Sequence, residues 1–119
     1  MVVNVDKAIQ IVDTYGPNHQ RYKAAEELSE LQTLVLQDAN LNGKVPVNSI
    51  IEEIADVYVI LKQLEVIYGI DDRDVQPVID HKIDRTLRSV ERIEQWYTES
   101  RKALQSKKET ESKEWIALD

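Results

Sequence analysis

The chain has 119 residues, enough for one hydrophobic core and too few for two. Its formal net charge of −7 excludes the basic track that a nucleic-acid binder needs, but not a nucleotide site, where divalent cations invert the local charge. Cysteine is absent, which removes disulfides and thiolate metal sites, and the low Gly, Pro and Phe content favours helix.

The opening "MVVNVDKAIQIV" has no basic region and carries Asp6 and Lys7, so it does not read as a signal peptide. A first helix is expected over 4–15, capped by Asn4 or Asp6, with Val5, Ala8, Ile9 and Val12 on one face. "YGPN" (15–18) then stops it: Gly16 suits a C-terminal cap, Pro17 blocks continuation and Asn18 can cap the next helix. The second helix is expected from His19 to Asn40, burying Ala24, Ala25, Leu28, Leu31 and Val35.

"NLNGKVPV" (40–47) reads as a loop, and "SIIE" (49–52) as a capping box that starts a third helix near Ser49 and runs it to Gly69. Its apolar run is broken by Lys62, Gln63 and Glu65, so no membrane span is expected. A fourth helix is expected from Asp71–Asp74, with Pro77 marking its first turn or bending it, and with Ile79, Ile83, Leu87, Val90 and Ile93 as its apolar edge. The pattern fades after Trp96–Tyr97. Residues 100–114 are polar and read as a frayed or mobile tail, and "WIAL" (115–118) as a small apolar clip. The expected fold is therefore all-α, a four-helix bundle complete in itself or completed by a second subunit, with a helical domain over 1–98 and a tail over 99–119.

Two phrases echo each other. "EELSEL" (26–31) matches "EEIADV" (52–57) position for position in residue type. At about 100° per residue, Glu27 and Glu30 fall roughly 100° and 160° to the same side of Leu28, and Glu53 and Asp56 repeat those offsets from Ile54. Each helix thus carries an i, i+3 carboxylate pair on one shoulder of its apolar stripe. The same shoulders carry Leu34 on the second helix and Ile60, Leu64 and Ile67 on the third. Several like charges on such half-buried ground are costly without cations. Gln20 and Lys23 lie upstream on the shoulder of Glu27, where a cation suits an anionic ligand. Oxygen donors without Cys point to Mg²⁺, with Mn²⁺ as a substitute. A di-iron bundle wants Glu-x-x-His, which neither His19 nor His81 supplies. The competing reading is a pair of solvated acidic helix faces.

At these residues the chain resembles the MazG-like members of the all-α NTP pyrophosphohydrolase superfamily, whose signature is EExxE followed by ExxD. Here it reads Glu26-Glu27-x-x-Glu30 and Glu53-x-x-Asp56, with 22 residues between them, Gln20 and Lys23 upstream, and "YGID" ending the third helix. The resemblance covers about residues 5–90. It implies metal-assisted attack of water on the α-phosphorus of an NTP or dNTP, giving the monophosphate and pyrophosphate.

Carried over to this chain, the resemblance assigns Glu27, Glu30, Glu53 and Asp56 to Mg²⁺, and Glu26 or Glu52 to the water's proton. Gln20, Lys23, Lys82 and Arg85 go to the substrate; Thr86 stands where the family often has Asn, a departure on the side that recognises sugar or phosphate. The resemblance further implies a homodimer or homotetramer in the cytoplasm of a bacterium or phage-infected cell, with no nucleic-acid or membrane partner. dUTP-directed enzymes and phosphoribosyl-ATP pyrophosphatases share the motif, and a non-catalytic helical interaction protein would keep the bundle and the acidic face.

Overall fold

Four helices account for most of the described residues in a computed structural model that describes the backbone of residues 3–118 and the side chains of residues 3–113. They are α1 (Val5–Tyr15), α2 (Pro17–Asn40), α3 (Val47–Tyr68) and α4 (Asp72–Leu118). Among the described residues there is no strand, and no helix is long and apolar enough to cross a membrane. The chain divides into two units, residues 1–74 and 75–119.

The first unit is built on α3, which packs along α2 and, less extensively, against α1. Asn4 is the cap of α1, its Oδ1 accepting from the Lys7 N–H at 3.0 Å. The chain then reverses through Gly16 alone (φ 93°), and Pro17 opens α2 rather than only closing α1. The reason is local: a proline in the first helical turn loses no hydrogen bond, and its fixed φ suits the helix. Asn18 is therefore inside α2 and does not cap it.

The start of α3 also differs from expectation. The helix begins at Val47, and the Ser49 N–H donates to the Pro46 carbonyl at 3.0 Å, so the Ser49–Glu52 capping box is not formed. The reciprocal box sits instead before α4. There Asp71 accepts from the Arg73 N–H at 2.8 Å, and the Asp71 N–H donates to Asp74 at 3.0 Å. Gly69 ends α3 in the left-handed region (φ 66°), and the Ile70 N–H closes back on the Glu65 carbonyl. Lys62 joins that end to the next helix, meeting Glu65 at 2.8 Å and Asp72 at 3.2 Å.

Gln20 on α2 meets Gln63 on α3, while Glu27 and Glu30 gather with Glu53, so the two helices run antiparallel. The inward line of α2 is Gln20, Ala24, Glu27, Leu31, Leu34 and Asp38, and that of α3 includes Glu53, Val57, Ile60, Leu64 and Ile67. This corrects the expected facing in part. The shoulder bearing the acids belongs to the packed seam; of the stripe expected to be buried on α2, Ala24 and Leu31 do turn inward, whereas Ala25, Leu28 and Val35 are exposed, as is Ile54 on α3. On α1, Ala8 and Val12 are buried as expected, whereas Val5 and Ile9 stay exposed.

The second unit is the body of α4, which continues without a break through residues 100–114, the stretch that reads from sequence as a mobile tail. Its polar residues are helix formers, and side-chain pairs such as Gln95–Glu99 and Gln105–Glu109 bridge its turns. Pro77 sits inside the second turn, where only the bond to the Arg73 carbonyl is lost. The side chains of the "WIAL" clip lie outside the described residues.

The seam carries one buried neutral polar contact, Gln20 Nε2 to Gln63 Oε1 at 2.6 Å, both residues being under 5% exposed. Gln63→Leu strands the Gln20 donor and is expected to cost about 1–3 kcal/mol in urea unfolding. Gln20→Leu/Gln63→Leu removes both partners and is expected to recover most of that loss.

Candidate functional site

The acids of the seam come together because the i, i+3 spacing on α2 places Glu27 and Glu30 one turn apart, and the antiparallel α3 sets Glu53 opposite them. One carboxylate oxygen from each of Glu27, Glu30 and Glu53 lies within 4.8 Å of the others. Glu27 and Glu53 are half-buried and Glu30 is exposed, so the group opens to solvent on one side. Glu27 Oε2 and Glu53 Oε2 are buried without any hydrogen-bond partner. A buried carboxylate oxygen normally accepts at least one hydrogen bond, so these two atoms leave the seam with unmet acceptor capacity.

The charges act on each other. The Glu30 carboxyl is pushed up from its ordinary range, first by the negative charge of Glu27, then by partial desolvation and by the charge of Glu53. Lys23 supplies the only described ion pair to the group, at 3.2 Å from Glu27 and 3.5 Å from Glu26. Its ammonium is held above the usual lysine range by the hydrogen bond to Glu27 and the charge of Glu26.

The remaining residues singled out in the sequence divide by place. Asp56 is exposed on α3 and lies outside the three-acid group. Glu26 and Glu52 are exposed, each next in sequence to a seam acid, and Glu26 is 57% exposed beside Lys23. Gln20 is buried, its Nε2 spent on Gln63 and its Oε1 2.7 Å from His19 Nδ1. Lys82 and Arg85 lie on α4 in the second unit, where with Thr86 and Ser89 they line an open hollow of about 330 Å³.

A cleft of about 480 Å³ that no sequence motif marks lies next to the acids, lined by Tyr15, His19, Gln20, Tyr22, Lys23 and Glu26. Tyr15 and His19 stack across the Gly16–Pro17 reversal with ring centroids 5.4 Å apart. The signal is the aromatic spacing 15, 19, 22, which continues helical periodicity through a turn and is hidden when that turn is treated as a break. The aromatics farther along the chain are elsewhere. Tyr68 lies under the Arg21 guanidinium at 5.4 Å, and Trp96 packs edge-on to Tyr97 at 5.0 Å.

Glu30 provides a pH test of this geometry. A carboxyl raised in the folded state stabilises the fold while protonated, and that contribution is lost as pH rises through its raised range. Glu30→Gln is therefore expected to melt higher than the parent chain at neutral pH without divalent cations, the gap closing below the ordinary glutamate range. Thermal melts across pH check this; a Glu30→Gln chain that is less stable at neutral pH contradicts the repulsion. Compared with models of protein families, with curated proteins and with solved structures, the chain matches none.

Proposed function

We propose that the chain is a Mg²⁺-dependent nucleoside triphosphate pyrophosphohydrolase, converting an NTP or dNTP to the monophosphate and pyrophosphate. The observation that carries this reading is the pair of buried, unpartnered oxygens on Glu27 and Glu53 within a three-carboxylate group. Lys23 offsets only part of this charge, and a bound cation would offset the rest in the main seam of a thin core. Donors that are all oxygen suit Mg²⁺ or Mn²⁺. The resemblance to MazG-like pyrophosphohydrolases supplies the reaction class.

In this reading Glu27, Glu30 and Glu53 hold the cation, with Asp56, one turn beyond Glu53, as the fourth acid. The bound cation supplies charge neutralisation on the phosphoryl oxygens and a lowered pKa for water. Lys23 adds a fixed positive charge at the edge of the acids, where a triphosphate passes from them towards the neighbouring cleft. Glu26 or Glu52, both exposed, is assigned by the resemblance to take the proton from water. Gln20 forms part of the wall of the cleft that receives the base or sugar, its amide steadied by His19 and Gln63. Lys82 and Arg85 are assigned to phosphate by resemblance. The same reading has the chain acting as a homodimer or homotetramer.

The test is pyrophosphate release from a panel of NTPs and dNTPs, dUTP and phosphoribosyl-ATP included, with Mg²⁺. Release from at least one of them is expected, and Glu53→Gln is expected to lower it by about 100-fold or more while the helical circular dichroism is retained. Asp56→Asn is expected to lower it as well. Full activity in both variants refutes the metal site. No release from any nucleotide, with unchanged melting in Mg²⁺ plus nucleotide, refutes the enzyme and leaves a helical interaction protein.

A further inference from the structure

The body of α4 presents an apolar stripe with a seven-residue repeat. Ile83, Val90, Tyr97 and Leu104 are seven apart, and Ile79 and Ile93 fall at the companion positions of the repeat, with Thr86 and Ser100 between and beyond. All six apolar side chains are between 41% and 55% exposed. At about 1.5 Å per residue the stripe runs for roughly 39 Å, and beyond it Lys107 and Glu111 occupy the same line. A repeat of seven with apolar residues at two positions is the seam of a two-helix supercoil, and it needs a partner helix of matching length.

We propose that this stripe pairs with α4 of a second copy of the chain, in antiparallel orientation about a two-fold axis between Glu91 and Arg92. The stripe is self-complementary about that point. Ile79 faces Leu104 of the partner subunit, Ile83 faces Ser100 of the partner subunit, Thr86 faces Tyr97 of the partner subunit and Val90 faces Ile93 of the partner subunit. Every layer then recurs on the other side of the axis, as an isologous contact requires. The flanking charges select the same register. Asp80 comes opposite Arg101 of the partner subunit, twice over, and among the described residues neither is in an ion pair.

Shifting the pairing by one repeat in one direction sets Asp80 against Glu94 of the partner subunit. Shifting it the other way brings Asp80 opposite Lys108 of the partner subunit, but it sets Glu94 against its own mate and draws Lys107 into the seam opposite Ile83. A parallel pairing loses the Asp80–Arg101 pairs. The pairing is independent of the hydrolase reading: it uses no seam acid, and its test reads mass and disulfides rather than turnover.

The chain has no cysteine, so engineered ones report cleanly. Full-length Ile79→Cys and Leu104→Cys chains, mixed and allowed to exchange before oxidation, are expected to give the disulfide that joins one variant to the other, in clear excess over either disulfide-linked homodimer. In sedimentation, Asp80→Arg is expected to weaken dimerisation by about tenfold, and Asp80→Arg/Arg101→Asp to restore it. Both substitutions are on the surface and leave the helix intact. A predominant disulfide between two Ile79→Cys chains, a monomeric mass for the parent chain, or dimerisation indifferent to Asp80→Arg overturns the proposal.

Discussion

Like charges in a packed seam are the constraint around which the first unit is organised. Glu27 and Glu53 take positions on α2 and α3 that an ordinary helix pair would give to Leu or Ile. The remaining contacts accommodate this. One end of the seam is closed by the Gln20–Gln63 pair, and Lys23 offsets part of the charge from the rim. The apolar packing is left to small or branched side chains, Ala8, Val12, Ala24 and Ile60. Such a core carries little hydrophobic stabilisation, so the repulsion within the seam weighs heavily on the fold. In the proposed reaction, the cation that relieves the repulsion also serves the chemistry.

The thin core has a counterpart on the surface. Leu28, Val35, Ile51 and Ile54 are exposed on the first unit, and the stripe of α4 is exposed on the second. Contiguous exposed apolar faces of this kind are what a partner surface requires. The proposed α4 pairing covers one such face by repeating a single helix about a two-fold axis.

Much of the fold is legible in the sequence because helix signals are local. The Asn4 cap, the Gly69 stop and the Asp71–Asp74 start each depend on a few adjacent residues, and each is found where the sequence puts it. Errors arise where two local signals compete. Ser49 and Glu52 have the spacing of a capping box, but the Pro46 carbonyl already accepts the Ser49 N–H, so the helix begins earlier. The stretch 100–114 reads as tail for want of apolar periodicity, although its residues are good helix formers. Absence of a buried face is not absence of a helix.

The candidate site divides along the same line. The sequence by itself determined that Glu27 and Glu30, and likewise Glu53 and Asp56, lie one turn apart on a helix, because the rise and twist of the α-helix leave no choice. Only the tertiary structure decided which face of α2 and α3 turns inward. Both helices have apolar residues on the inner and the outer face, so periodicity alone is degenerate. The rotation adopted brings Glu27, Glu30 and Glu53 together, leaves Asp56 outside and opens the Tyr15–His19 cleft beside Lys23. Those relations join residues far apart in the chain, and they follow from how helices pack against each other, which no single helix encodes.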